Sequence, residues 1–129
     1  MTNQIDRIGL IGAGQMGRGI AQVSANAGYK VVLSDVSIEA AQAGLDKVAA
    51  GTQKQVDAGR MDASERDTML ARISVAAGME GLSDCDLVIE AASEDEQVKR
   101  AIFAELCPVL KPEATIASQH LQEGINLAG

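Results

Sequence analysis

Apolar residues occur along this chain in short bursts separated by longer, sparser stripes. The string Ile8-Gly-Leu-Ile11, bounded by Arg7 and Gly12, has the pattern of a buried strand. After Gly17 the spacing lengthens. Ile20, Val23 and Ala27 fall on one face of a helix, which Gly28 ends. Residues 30–34 read as a second strand with Asp35 at its end. From residue 37 to about 58 a thin stripe of Ala41, Leu45, Val48, Thr52 and Val56 predicts a long amphipathic helix, weakened at Gly51 and closed by Gly59. Asp62-Ala-Ser-Glu65 has capping-box spacing and opens a shorter helix that runs to about Ala71. Residues 73–76 and 86–91 are a third and a fourth strand. A second capping box, Ser93-Glu-Asp-Glu96, opens a helix with the stripe Val98, Ile102, Leu106 and Leu110. Pro108 lies late in that stripe, so its last turn is expected to kink or fray. Residues 114–118 are a fifth strand.

Strands alternate with helices, and the strand runs are apolar on both faces. That combination belongs to a parallel sheet covered on both sides, in an α/β fold. Right-handed crossovers favour the strand order 3-2-1-4-5. At 129 residues the chain is one domain with little room for a second. Aromatics are only 2%, namely Tyr29 and Phe103, so the core is built from Ala, Val, Ile and Leu. The helical pair at 37–72, with its thin Ala-rich stripe, is expected to be an arm more mobile than the sheet and not a cover for it.

A formal charge of −7 argues against partners such as nucleic-acid backbones and anionic membranes. It leaves anionic small ligands open, because a ring of backbone N–H groups binds phosphate whatever the net charge. Two cysteines, Cys85 and Cys107, are too few for a disulfide scaffold, and with a single His they make a poor metal site. Buried free thiols suit a reducing compartment. No apolar run reaches 18 residues, and the first seven residues lack the features of a secretory signal, so a cytoplasmic protein is expected.

The chemistry lies at the end of the first strand. Gly12-x-Gly14-x-x-Gly17 follows a strand and opens a helix inside a βαβ unit. Gly12 permits the sharp turn. Gly14, without a Cβ, lets a pyrophosphate approach the backbone, and Gly17 lets the helix pack close to the sheet. The helix start offers N–H groups and partial positive charge. Asp35 follows Gly17 by 18 residues, where a carboxylate accepts from an adenosine ribose and repels a 2′-phosphate. No Arg or Lys occupies positions 36–38, so NAD is favoured over NADP.

Residues 8–23, with 28–35, 86–94, Lys99, 103–106 and 110–112, closely resemble the 3-hydroxyacyl-CoA dehydrogenase family, and its bacterial 3-hydroxybutyryl-CoA members above all. The resemblance covers roughly residues 5–118 and includes the helical pair. It implies a Rossmann-type doubly wound NAD-binding domain over 1–118, with an insertion at 37–72 after the second strand. It also implies backbone contacts to the cofactor from Gln15 and Met16 and a ribose contact from Asp35. Glu94 and Lys99 then line the NAD site beyond the fourth strand. The activity it implies is NAD-dependent oxidation of 3-hydroxyacyl-CoA to 3-oxoacyl-CoA, or the reverse, in fatty-acid or butanoate metabolism.

The tail at 119–129 departs from the family, which continues Ser-Asn-Thr-Ser where this chain has Ser118-Gln-His-Leu121. Two readings stay open: a genuine divergence, or a one-base frame change that hides Asn-Thr-Ser in the adjacent frame. The family's catalytic imidazole and its C-terminal substrate and dimerisation domain have no counterpart here. His120, the one His, sits in that tail with no carboxylate placed by any motif to orient it, and is read as a surface residue. The expectation is a chain that binds cofactor, takes an acyl-CoA partner only in the intact family, lacks the family-type dimer and carries no catalytic residue. The alternative is a stand-alone dinucleotide-binding module without chemistry. Asp84, Asp86 and Glu90 are read as loop and strand-end acids, and Cys107 as a structural thiol.

Overall fold

A computed structural model describes residues 5–91, 96–112 and 114–118. Five strands, β1 (Arg7–Ile11), β2 (Lys30–Asp35), β3 (Ile73–Ala77), β4 (Leu87–Glu90) and β5 (Thr115–Ser118), form one sheet in the order β3-β2-β1-β4-β5, with every neighbouring pair parallel. The doubly wound order expected from the βα alternation is therefore present. The chain reverses direction across the sheet between β3 and β4, so β1 and β4 flank the crevice at which ligands of such sheets bind.

Successive residues of a strand point to opposite faces, and each face has its own core. On one face Ile8, Leu10, Val31, Leu33 and Ile73 pack with Ala21 and Ala25 of α1 (Gln15–Asn26), Val48 of α2 (Ile38–Asp57) and Met69 of α3 (Ala63–Ala71). On the other, Ile11, Val32 and Val88 meet Leu82, Cys85 and Leu106, the last from α4 (Glu96–Leu106). Gly9 makes the second layer thin, since a Cβ there would stand 2.7 Å from Leu82 Cδ2 and 2.9 Å from Cys85 Sγ.

Three local expectations are corrected. The buried stripe of α1 is Gly17, Ala21 and Ala25, whereas Val23 is 69% exposed and Ala27 is exposed. The small residues face inward because α1 lies close to the sheet; at Gly17 even a Cβ would overlap the Gly12 carbonyl oxygen. The pair α2–α3 is not an arm standing off the sheet, because Ala41, Gly44, Val48, Thr52 and Met69 are buried against β2, β3 and α1. Arg66 of α3 fastens it, donating from Nη2 to the Ala49 carbonyl at 2.9 Å and from Nε to Thr52 Oγ1 at 3.2 Å. The first capping box is not closed. Asp62 is the N-cap of α3 but its side chain accepts no capping bond, while Ser37, which the spacing did not flag, caps α2 by accepting from Ala40 N at 3.1 Å.

The helix α2 runs through Gly51 unbroken. It ends as expected at Gly59, whose φ of +74° suits a residue without a Cβ. The helix α4 stops at Leu106, ahead of Pro108, and Leu110 reaches the second core from beyond its end. The second capping box falls partly outside the described residues. Cys85 is buried, which pushes its thiol up to about 11, whereas Cys107 is exposed, so the reading of it as a buried structural thiol does not hold.

Asp86 gathers the starting ends of three strands. Its Oδ2 accepts from Asp6 N at 2.8 Å and Arg7 N at 3.0 Å, and its Oδ1 pairs with Lys111. Its backbone bonds β1 and β5 as well, through Arg7 O and Thr115 N. The Lys111 ammonium first, and then the two amides, hold its carboxyl down from 3.8 to about 2. Because the folded-state value is depressed, the stabilisation is fully present above about pH 4 and fades as pH falls through about 2. Asp86→Ala is expected to cost about 2 kcal/mol near neutral pH, the scale of hydrogen bonds to a charged group. The gap between variant and wild type in urea melts should close in strong acid. A gap that persists unchanged at pH 2 would show that Asp86 acts through packing and not through charge.

Candidate dinucleotide site

The turn between β1 and α1 carries the site. Gly12 N donates to Ser34 O at 2.8 Å, extending the β1–β2 ladder by one rung, and the chain then turns with Gly12 at φ +108°. A side chain is strained at that angle, so glycine is required. Gly14 is the N-cap of α1, and no side chain caps the helix. Nor does any acidic residue sit in its first turn. The amides of Gln15, Met16 and Gly17 therefore stand at a helix start whose own first turn carries no acid to offset its partial positive charge. Gly14, Gln15 and Met16 are exposed and Gly17 is buried.

The glycines have different jobs. A Cβ on Gly17 would overlap the Gly12 carbonyl oxygen, so α1 lies directly on the end of β1. A Cβ on Gly14 would meet nothing within 4 Å. The protein itself does not need Gly14 bare; the open space in front of it does, if a large anion is to reach the backbone.

Asp35 ends β2 beside this turn. Its Oδ2 accepts from Ala13 N at 2.8 Å and its Oδ1 from Val36 N at 2.7 Å. The two bonds fix the carboxylate plane next to the loop, and each oxygen retains a lone pair for a further donor such as a ribose hydroxyl. Arg18 Nη1 reaches back to Ala13 O at 3.3 Å. Val36, immediately after Asp35, is 92% exposed and offers no charge to a 2′-phosphate. The Ala13 amide and the Arg18 guanidinium were missed from sequence, because nothing in a glycine spacing tells which residue between the glycines binds the acid.

Glu90 ends β4 in register with Ile11, and Ala91 N donates to Ile11 O at 2.9 Å, so the chain leaves β4 beside the glycine turn. Glu90 is fully buried, Asp84 is exposed, and Asp86 serves the strand starts. The structure thus does not gather these three acids into one group. Lys99 falls on α4, but its side chain, like Glu94, His120 and Leu121, lies outside the described residues. A separate groove of about 280 Å³ lies between Asn26, Ser64, Glu65, Thr68 and Arg72, and no residue of the glycine turn lines it.

Residues 7–120 match the family described as 3-hydroxyacyl-CoA dehydrogenase, NAD binding domain. The chain belongs to the 3-hydroxyacyl-CoA dehydrogenase family. It is the NAD-binding domain of that family, and NAD is its cofactor. It is 48% identical over 118 residues to a 3-hydroxybutyryl-CoA dehydrogenase of Bradyrhizobium diazoefficiens, which covers 92% of this chain and 40% of the relative. To a 3-hydroxybutyryl-CoA dehydrogenase of Mycobacterium tuberculosis it is 43% identical over 119 residues, 92% of this chain and 42% of that one. The crystal structure of (S)-3-hydroxybutyryl-CoA dehydrogenase from Ralstonia eutropha superposes with a TM-score of 0.85 at 34% identity, over 89% of this chain and 41% of that chain. The chain thus spans about two fifths of the length of these relatives.

Two glycine substitutions separate fold from binding. Gly17→Ala should destabilise the 3-hydroxyacyl-CoA dehydrogenase domain by about 1–3 kcal/mol or more, because the new methyl meets backbone that cannot swing away. Gly14→Ala should cost under about 1 kcal/mol of stability, a helix-cap effect, while weakening NADH binding strongly. Thermal melts and calorimetric titration check both. A Gly14→Ala chain that binds NADH as wild type does would place the phosphates elsewhere.

Proposed function

We propose that this chain is the cofactor half of an NAD-dependent 3-hydroxyacyl-CoA dehydrogenase, acting in the interconversion of 3-hydroxyacyl-CoA and 3-oxoacyl-CoA. The observation that supports it best is the conjunction at one strand end of an uncapped helix start, an open glycine and a carboxylate held beside them. The residues present fit a dinucleotide. In this reading the amides of Gly14, Gln15, Met16 and Gly17 hold the pyrophosphate. The Asp35 carboxylate, oriented by the Ala13 and Val36 amides, accepts from the adenosine ribose. Glu94 and Lys99, from the segment beyond β4, line the nicotinamide side. When bound, the cofactor supplies a hydride acceptor at nicotinamide C4.

The proton of the substrate hydroxyl needs a general base within hydrogen-bond reach. The sequence holds one imidazole, His120, and the reading assigns it no catalytic role. The chain alone therefore holds the cofactor and positions no base. The acyl-CoA substrate class is that named in its relatives, 3-hydroxybutyryl-CoA among them. Neither nucleic acid nor a membrane surface is a partner in this reading, which fits the charge of −7, and the family-type dimer is not formed by this chain alone. Among the described residues no helix is long and apolar enough to cross a membrane. Two free cysteines fit a reducing compartment, and the cytoplasm is the proposed location.

Calorimetric titration with NAD and NADP is the test of the cofactor reading. Asp35→Ala should weaken NAD binding by about 1–3 kcal/mol, the loss of hydrogen bonds to a charged acceptor. It should also narrow the preference over NADP. Wild-type protein that binds NADP as tightly as NAD would contradict the role given to Asp35. With NAD and 3-hydroxybutyryl-CoA the 129-residue chain should form no NADH above background. Turnover near the ordinary median of about 10 s⁻¹, abolished by His120→Ala, would assign the base to His120 after all.

A further inference from the structure

The helix α2 carries two glycines in its interior, and they differ in what surrounds them. A Cβ on Gly51 would meet nothing within 4 Å. A Cβ on Gly44 would stand 2.7 Å from Ala13 Cβ, 2.9 Å from Ala13 O and 3.4 Å from Leu33 Cδ2. Glycine is a poor helix former wherever it stands, so both positions weaken α2 alike. Only at Gly44 does the bare backbone permit a contact, and that contact is with the middle of the glycine turn.

Ala13 is 6% exposed and is engaged on three sides. Its amide donates to Asp35 Oδ2, its carbonyl accepts from Arg18 Nη1, and its methyl faces Gly44. Gly12 and Gly14 on either side of it lack side chains that could wedge the turn in place. On the side that faces α2, the room for Ala13 is therefore limited by how closely α2 approaches.

We infer that Gly44 is a positioning residue for the cofactor site: its missing side chain lets α2 back the glycine turn closely enough for the Ala13 amide to hold the Asp35 carboxylate toward the ribose. The inference rests on the NAD reading above and adds to it a residue of the insertion helix that touches neither phosphate nor ribose. A methyl at 44 pushes against both Ala13 Cβ and Ala13 O, and Ala13 yields by moving away from α2. The Ala13–Asp35 bond, at 2.8 Å, lengthens or turns, and the carboxylate loses the donor that orients it.

The experiment compares the full 129-residue chain with Gly44→Ala, Gly51→Ala, Gly9→Ala and Gly44→Ala combined with Ala13→Gly. Three quantities are read: NADH affinity by calorimetry, thermal midpoint, and hydrogen exchange at the Ala13 amide without cofactor. Gly44→Ala should weaken NADH binding by about tenfold, the equivalent of one hydrogen bond to a charged group, and should speed exchange at Ala13. Gly51→Ala should leave both at the wild-type level. Gly9→Ala, which crowds Leu82 and Cys85 in the other core, should lower the midpoint yet leave NADH affinity unchanged. In the double variant the methyl at 44 no longer meets the Ala13 methyl but still stands 2.9 Å from the carbonyl oxygen of residue 13, so affinity should return part of the way toward wild type, which a loss of fold alone would not allow. Wild-type affinity and wild-type Ala13 exchange in Gly44→Ala would overturn the inference and leave the NAD reading standing. If Gly44→Ala does not fold, a folded double variant that fails to recover affinity overturns it equally. Wild-type chain that does not bind NADH overturns both.

Discussion

The approach of α1 to the end of β1 is the constraint on which the rest of the domain depends. Gly17 lies on the Gly12 carbonyl so closely that no side chain fits between them. That contact fixes the axis of α1 relative to the sheet and points its uncapped start at the space beyond the strand. It also explains the small buried stripe of the helix, since Ala21 and Ala25 follow Gly17 at one-turn spacing on a helix that cannot stand further off. Once α1 is placed, Leu10, Val31 and Leu33 find their partners on that face, and α2 and α3 cover what remains.

The two ends of the sheet are built on opposite principles. At the strand starts, Asp86 ties β1, β4 and β5 with two amides and the Lys111 ammonium. At the strand ends, the helix start of α1 has no cap and Gly14 faces open space. The ion-paired carboxylate lies at the strand starts, and the uncapped helix start lies at the switch point. Asp35 connects the two tasks. It is held by two amides of the protein and still has acceptor capacity on both oxygens.

Much of this was legible in the sequence, because strand runs bounded by glycine and a stripe of regular spacing are local signals. The strand order, the glycine turn and the place of Asp35 all follow from them. The failures share a cause in tertiary packing. Val23 shares a helical spacing with Ile20 and Ala27, yet it is 69% exposed, and the buried face of α1 is Gly17, Ala21 and Ala25. The thin stripe of the pair α2–α3 suggests an arm, whereas it is the bare Gly44 that lets α2 lie on the glycine turn. Ser37 caps α2 without the Glu that completes a box, and Asp62 has that Glu without closing one. A spacing rule records which partners are available, not which geometry wins.

The proposed site places a dinucleotide at the carboxyl ends of β1, β2 and β4, with its phosphates on the α1 start and its ribose on Asp35. Backbone amide shifts of the labelled 129-residue chain, followed by NMR during NADH titration, test it most directly. The largest changes should fall on residues 12–17 and on Asp35 and Val36, while Asp6, Arg7 and Asp86 at the far end of the strands hold still. Changes centred instead on Asn26, Thr68 and Arg72, or no changes at all at saturating NADH, would contradict it.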